Sequence, residues 1–174
     1  MRRGRAKHAA LSAPATDRGI PAGAHVSGVP FQVLAKPVSA ACNLACRYCY
    51  YLHRPGRGTA ARMGSATLGE FVRQTIDGQP RAREIQFHWQ GGEPTLAGIP
   101  FFREACEWQE RYRPPGTTVV NALQTNGTLI DSDWTAFLAE HRFLVGVSID
   151  GPAHYHDPLR RHVGGAASHA QALR

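Results

Sequence analysis

The sequence has no apolar run that approaches the ~18 residues of a membrane-spanning helix. Its N-terminus also lacks the apolar segment of an export signal, so Arg2-Arg3 is not interpreted as a targeting motif. These absences predict a cytoplasmic protein in a reducing compartment, with no membrane partner. In such a compartment the four cysteines are expected to bind metal or do chemistry rather than form disulfides.

The net charge of +7 is concentrated at the N-terminus, where four of the first seven residues are basic. Residues 1–29 show no sustained hydrophobic period and are interrupted by proline and glycine, which predicts a disordered basic tail. No aromatic residues alternate with its arginines, as a stacking surface for bases would require, so no nucleic-acid partner is expected. Residues 30–174 are long enough for one domain.

Hydrophobic patterning beyond the tail predicts alternating strands and helices. Strands are predicted over residues 31–35, 85–89, 119–123 and 143–149. The first helix is predicted to begin at a capping box formed by Thr67 and Glu70, and the second to end before Pro114. Asp131 or Ser132 is expected to cap the third helix. This order implies right-handed crossovers and therefore an α/β fold with a parallel sheet.

The unusual polar motifs of the chain all follow predicted strands. They are the cysteine loop at 42–51 and the segments 90–93, 124–127 and 148–151. Ligands of parallel α/β sheets bind beyond the carboxyl ends of the strands. We therefore expect the four motifs to lie together on one face of the sheet.

Three of the cysteines, Cys42, Cys46 and Cys49, lie within eight residues of each other. Thiolates this close can face one soft-metal centre, which can be an iron–sulfur cluster, zinc or copper(I). Zinc would need a fourth ligand, yet Cys106 lies in a predicted helix as a candidate core residue, and a loop histidine such as His53 is usually solvated. An iron–sulfur cube held by three thiolates leaves one iron open to an external ligand.

Two glycines, Gly91 and Gly92, follow the second predicted strand and precede Glu93. Paired glycines let a backbone approach a ligand closely, and a carboxylate beside them is suited to hold an ammonium group. Gly-Gly and Asn126-Gly127 are also ordinary turn sequences, so their role stays open at this point.

Together these motifs resemble the signature of the radical S-adenosylmethionine (radical SAM) superfamily. Cys42-x3-Cys46-x2-Cys49, with Tyr48 before the third cysteine, is similar to its cluster motif, and residues 91–94 resemble its GGE motif. More narrowly, six segments together resemble the anaerobic sulfatase-maturating enzymes, which are SPASM-type peptide-modifying proteins. Those segments are 35–37, 41–46, 48–52, 89–96, 124–129 and 145–152.

The resemblance implies a partial (β/α)6 barrel, of which residues 30–174 hold about the first four β/α units. It implies two cofactors, S-adenosyl-L-methionine (SAM) and a 4Fe-4S cluster on Cys42, Cys46 and Cys49. Reductive cleavage of SAM would generate a 5′-deoxyadenosyl radical, which oxidises a cysteine or serine of a sulfatase to Cα-formylglycine. The implied partners are a peptide or protein substrate and a reducing electron donor.

The resemblance also assigns site residues by matching position. The expected SAM contacts are Tyr48, Gln90, Gly91, Gly92, Glu93, Ser148 and Arg160. Further SAM or substrate contacts are expected from Gln124, Asn126 and Asp150. No catalytic residue is assigned, because the general-base aspartate of the family would follow Arg174; in this interpretation the chain is a truncated barrel.

Two other functions stay open from the sequence. A maturase of a different peptide, such as a natural-product precursor, would share the same first half of the barrel. A truncated product that binds a metal ion without catalysis, zinc included, is the alternative that is not an enzyme.

Overall fold

The computed structural model describes residues 31–52 and 62–174, so the predicted tail and His53 lie outside the described residues. The elements are β1 (Val33–Ala35), α1 (Ser65–Asp77), β2 (Glu84–Trp89), α2 (Ile99–Tyr112), β3 (Thr118–Thr125), α3 (Ser132–Glu140), β4 (Leu144–Val147), α4 (Ala153–Leu159) and α5 (His169–Ala172). The described strands form one parallel sheet in the order β1-β2-β3-β4, which confirms the predicted α/β architecture. No helix in these two ranges has the length and apolar character needed to cross a membrane.

The strand β2 lies at the centre of the core because its side chains alternate between two faces. Ile85, Phe87 and Trp89 have no exposed surface, whereas Gln86 and His88 on the opposite face are half-buried. The buried face packs against apolar residues of α1 and α2 in one hydrophobic cluster. The other face is polar on β2.

The indole of Trp89 joins the aromatic core to a buried polar network. Its ring packs edge-on against Phe102 at 5.6 Å and stacks on Phe87 at 6.2 Å. Its Nε1–H donates to Asn121 Oδ1 at 2.8 Å, and the side-chain amides of Asn121 and Gln109 exchange two further bonds. Because these buried side-chain groups bond to one another, the network fixes β2 and β3 against α2 without an unpaired polar atom.

The first helix begins earlier than the sequence pattern indicates. It starts at Ser65 with Gly64 as its N-cap, and no side chain caps it. Thr67 therefore lies inside the first turn, and Glu70 binds Arg73 at 2.7 Å instead of closing a capping box. The predicted capping box is wrong, because the extended conformation of Gly64 already sets the helix start.

The other boundaries follow the prediction more closely. The helix α2 ends at Tyr112, before Pro114, and Asp131 caps α3 by accepting the amide N–H of Trp134 at 2.9 Å. The strand β4 is shorter than the predicted 143–149, because residues 148–151 already turn towards the site. The short helices α4 and α5 were not predicted from the sequence, since neither is long enough to show a hydrophobic period.

Candidate functional site

The four polar motifs meet beyond the carboxyl ends of the strands. Asn126 Nδ2 donates to Asn43 Oδ1 at 2.8 Å, and the Asn126 amide N–H donates to Glu93 Oε2 at 2.7 Å. At the next pair of strand ends, Gln124 Nε2 donates to Ser148 Oγ at 3.0 Å. These bonds join the cysteine loop, the glycine motif and the ends of β3 and β4, so the expected convergence on one face is confirmed.

The paired glycines pack directly against the backbone of the cysteine loop. The Gly92 N–H donates to Ser39 O at 2.9 Å, and a Cβ atom on Gly92 would lie 2.0 Å from the carbonyl oxygen of Ala41. Gly91 has φ +119°, and a Cβ there would lie 2.7 Å from Ser39 O. Both positions therefore require glycine because the chain's own backbone approaches them, whether or not a ligand does. The SAM contacts predicted for them stay predictions.

The carboxylate of Glu93 is buried and hydrogen-bonded within the protein. The residue is 0% exposed, and its Oε1 accepts bonds from the Thr95 N–H, the Thr95 hydroxyl and the Thr125 hydroxyl at 2.7–3.0 Å. Its Oε2 accepts the Asn126 N–H at 2.7 Å. In the described structure Glu93 is a buried link between the ends of β2 and β3. The ammonium contact predicted for its carboxylate stays a prediction.

We expect Glu93→Gln to lower the free energy of unfolding by about 1–3 kcal/mol. Glutamine replaces one carboxylate oxygen by an NH2 group, which cannot accept the hydrogen bond that the buried N–H or O–H group donates there. Urea denaturation followed by circular dichroism measures the change. Glu107→Gln is the control, since Glu107 is exposed on α2. Equal unfolding free energies for the two variants would contradict the structural role of Glu93.

The cysteine loop presents three free thiols in different degrees of burial. Cys46 is buried, while Cys42 and Cys49 are half-buried, and none of the three forms a disulfide. The Cys49 N–H donates to Cys46 O at 3.0 Å, which holds these two in one turn. The loop is thus ordered by its own backbone before any ligand is considered.

A returning segment, residues 159–163, holds the cysteine loop from its other side. Ala45 N–H donates to Arg161 O at 2.7 Å, and Leu44 forms an isolated antiparallel bridge with His162. Sequence patterns gave no sign of this pairing, because it joins two loop segments that have no strand periodicity. It brings Arg160 to the cysteines.

Three of the predicted contact residues form one hydrogen-bonded group. The Tyr48 hydroxyl donates to Asp150 Oδ2 at 2.5 Å, and Arg160 Nη1 donates to the Tyr48 hydroxyl at 2.8 Å. Burial and the bond to Asp150 raise the pKa of Tyr48. Arg160 is 8% exposed, and its Nε has no hydrogen-bond partner within the described part of the chain. A buried guanidinium N–H left open in this way needs an acceptor.

The surroundings of the thiols fit a cationic, sulfur-ligated centre. Burial raises the pKa of Cys42 and of Cys46, and the positive charge of Arg160 partly offsets this for Cys46. Leu44 N–H and Asn126 Nδ2 donate to Cys42 Sγ at 3.4 and 3.8 Å. A bound metal centre removes the burial penalty, because coordinated thiols are deprotonated.

No three His, Cys, Asp or Glu side chains among residues 31–52 and 62–174 converge on a single metal ion. Three thiolates that each bind a different iron of one cluster do not need to converge on one point. Cysteine thiolates are the ligands that a 4Fe-4S cluster takes, so the chemistry of the donor set Cys42, Cys46 and Cys49 fits this group. Cys106 packs half-buried against the core from α2, where burial raises its pKa to about 12; its predicted core position is confirmed.

Sequence reasoning named the polar residues at the strand ends but missed the side chains that support them. Of the remaining predicted contacts, Gln90 is half-buried, and its N–H continues the β1–β2 ladder to Ala35 O at 2.9 Å. The missed residues include Thr125, which supports Glu93, and the pair His156 and Ser168 behind Arg160. Thr125 lies within a segment that the resemblance already matched; nothing in the sequence indicated the other two.

Comparison of the sequence with known proteins identifies its family. The family model for the radical SAM superfamily matches residues 37–174. The serine-type anaerobic sulfatase-maturating enzyme of Klebsiella aerogenes is 48% identical over 153 residues, covering 85% of this chain and 36% of that protein. The cysteine-type enzyme of Clostridium perfringens is 39% identical over 135 residues, covering 76% of this chain and 36% of its own length.

The fold comparison gives the same relatives. A solved structure of native anSMEcpe with bound AdoMet and the Cp18Cys peptide superimposes with a TM-score of 0.76 at 38% identity, over 84% of this chain and 38% of that one. This chain thus spans little more than a third of the length of the relatives it matches. The family match covers the cysteine loop, the paired glycines and both later strand ends. The chain therefore belongs to the radical SAM superfamily.

Proposed function

We propose that this chain is the part of an anaerobic sulfatase-maturating enzyme that binds the cluster and cleaves SAM. The complete reaction would convert a cysteine or serine of a sulfatase peptide into Cα-formylglycine. The observation that supports this most is the packing of the three-cysteine loop against three other polar strand ends. The substrate class rests on the relatives, which are named as serine-type and cysteine-type sulfatase-maturating enzymes.

In this proposal Cys42, Cys46 and Cys49 would hold a 4Fe-4S cluster. The chemistry supplied by the bound cofactors is one-electron reductive cleavage of SAM to a 5′-deoxyadenosyl radical. A reducing electron donor must deliver that electron. Because the four described cysteines are all free, we also infer a cytoplasmic, reducing location.

The side chains around the loop would position SAM. Arg160 lies beside the cysteine loop with its Nη1 bonded to the Tyr48 hydroxyl, and a guanidinium is suited to bind the carboxylate of SAM. Tyr48 is 55% exposed and is held by Arg160 and Asp150, so one ring face can line the pocket. Ser148 joins Gln124 across the β3 and β4 ends and offers further polar contacts.

The test is anaerobic reconstitution of the chain with iron and sulfide, followed by SAM and dithionite as the electron source. We expect an absorbance band near ~400 nm and the release of 5′-deoxyadenosine, measured by liquid chromatography and mass spectrometry. A reconstituted chain that lacks the band and makes no 5′-deoxyadenosine would disprove the proposed function.

Addition of a sulfatase peptide that contains the target cysteine or serine tests the substrate class. Formylglycine in the peptide, detected by its mass, would support the sulfatase assignment for this chain. Oxidation of an unrelated precursor peptide in place of the sulfatase peptide would contradict it.

A further inference from the structure

A buried histidine and a buried serine lie directly behind the candidate SAM-binding residues. His156, on α4, is 1% exposed, and Ser168, just before α5, is 0% exposed. His156 Nδ1 accepts the backbone N–H of Asp150 at 3.3 Å, and His156 Nε2 lies 3.0 Å from Ser168 Oγ. The Ser168 hydroxyl donates to the backbone carbonyl of Arg160 at 2.6 Å.

The backbone groups at the two ends of this series of hydrogen bonds fix the donor and the acceptor of each bond. A carbonyl oxygen can only accept, so the single hydroxyl proton of Ser168 belongs to the bond with Arg160 O. Ser168 Oγ therefore accepts from His156 Nε2–H. At the other end His156 Nδ1 accepts from the Asp150 N–H and carries no proton. His156 is thus held as the neutral tautomer protonated at Nε2.

These hydrogen bonds run from the backbone of Asp150 to the backbone of Arg160, and the side chains of both residues bond to the Tyr48 hydroxyl. Asp150 accepts the Tyr48 hydroxyl, and Arg160 donates to it. Asp157 fixes the turn around Ser168 by accepting the Ser168 N–H at 3.0 Å. The distance between the Asp150 and Arg160 backbones, and hence the orientation of the guanidinium, depends on the two buried side chains between them.

We propose that His156 and Ser168 are positioning residues that hold the Arg160 guanidinium, beside its partners Tyr48 and Asp150, in the orientation that receives the carboxylate of SAM. The proposal rests on the proposed function, since Arg160 is the assumed SAM contact. Neither residue touches the ligand. Both act through the backbone to which Arg160 is attached.

The charged and titratable groups that face His156 are Arg160, Asp150, Asp157 and His169, whose ring lies 5.2 Å away. Burial, followed by the charge of Arg160, lowers the pKa of His156 below 6.5. A proton added at Nδ1 would oppose the Asp150 N–H. SAM affinity is therefore expected to fall as the pH drops through the lowered pKa of His156.

The experiment measures SAM affinity of the anaerobically reconstituted chain by equilibrium dialysis, without turnover. We expect Ser168→Ala to weaken SAM binding about tenfold, the size of a lost hydrogen bond to a positioned charged group, while the iron content stays unchanged. His154→Ala is the matched control, because His154 is exposed on the same helix; it should bind as the wild type does.

A double-mutant cycle separates positioning from a general loss of structure. If Ser168 acts through Arg160, then Ser168→Ala has no further effect on SAM affinity in an Arg160→Ala background. Equal additional weakening in both backgrounds would overturn the proposal. Should Ser168→Ala fail to fold, His156→Gln is the second variant. We expect it to lose the acid dependence of SAM binding, and a retained dependence would overturn the proposal as well.

These outcomes distinguish the inference from the function on which it rests. A wild-type chain that loads iron but binds no SAM contradicts the proposed function. A wild-type chain that binds SAM, together with Ser168→Ala binding it equally well, contradicts only the role of the His156–Ser168 pair.

Discussion

Gly92→Ala is expected to destabilise the chain by at least about 3 kcal/mol, the upper range for overpacking in a well-packed interior. The new Cβ would lie 2.0 Å from the oxygen and 2.6 Å from the carbon of the Ala41 carbonyl. Both atoms are backbone, so no side-chain rotation relieves the overlap. The bonds that seat the loop on β2, Gly92 N–H to Ser39 O and Glu93 N–H to Ala41 O, must break. Urea denaturation of the metal-free chain measures the loss.

Gly164→Ala is the control for this variant. A Cβ at Gly164 meets no atom within 4 Å, and its φ is not in the left-handed region. We expect its unfolding free energy to stay within about 0.5 kcal/mol of the wild type. If Gly92→Ala kept wild-type stability without cofactors and lost only SAM binding, the glycine would be needed for the ligand rather than for the loop.

Cys46→Ala is expected to abolish cluster binding, because two remaining thiolates cannot hold a three-ligand 4Fe-4S cube. Cys46 is the buried member of the three, and the positive charge of Arg160 partly offsets the effect of burial on the pKa of its thiol. Iron and sulfide per chain, together with the absorbance near ~400 nm, measure the loss after anaerobic reconstitution. We expect a decrease to the background of an unreconstituted sample.

Cys106→Ala is the matched control, because it also removes one thiol. The Cys106 thiol is half-buried and lies on α2 against the core, away from the cysteine loop. It should keep the full iron content and lose about 1 kcal/mol of stability at most. Equal iron loss in the two variants would overturn the ligand assignment. One zinc per chain in the wild type after anaerobic purification, with no iron, would identify a zinc site instead.

The sequence was sufficient to predict the sheet and the face that carries the site. Ile85, Phe87 and Trp89 alternate with polar residues, and that period alone specifies a strand with one buried face. Once the strands alternate with helices, their carboxyl ends must lie on one side, because parallel connections leave no other arrangement. The convergence of the polar motifs follows from this topology.

The direction of individual side chains was not predictable in the same way. Glu93 follows a glycine pair in which Gly91 has φ +119°, so the position of Glu93 in the motif does not say which way the carboxylate points. Its direction is set by donors on two separate segments, of which Thr125 lies 32 residues further along the chain. A hydrophobic period carries no information about such polar partners.

The hydrogen-bonded pair His156 and Ser168 behind Arg160 was not predictable from the sequence for a related reason. His156 and Ser168 are 12 residues apart and meet only because α4 ends at Leu159 and the chain turns back. A seven-residue helix containing a proline has too short a pattern to be recognised from sequence. The role of these residues depends on geometry that only the folded chain specifies.

The bond between Tyr48 and Arg160 spans 112 residues of the chain. A ribosome that adds about 5–20 residues per second delivers Arg160 roughly 6–22 seconds after Tyr48. During that interval the three thiols have left the ribosome without the segment that encloses them. The cysteine loop is therefore synthesised early and enclosed late, so its thiols are accessible to oxidants in the interval between the two events.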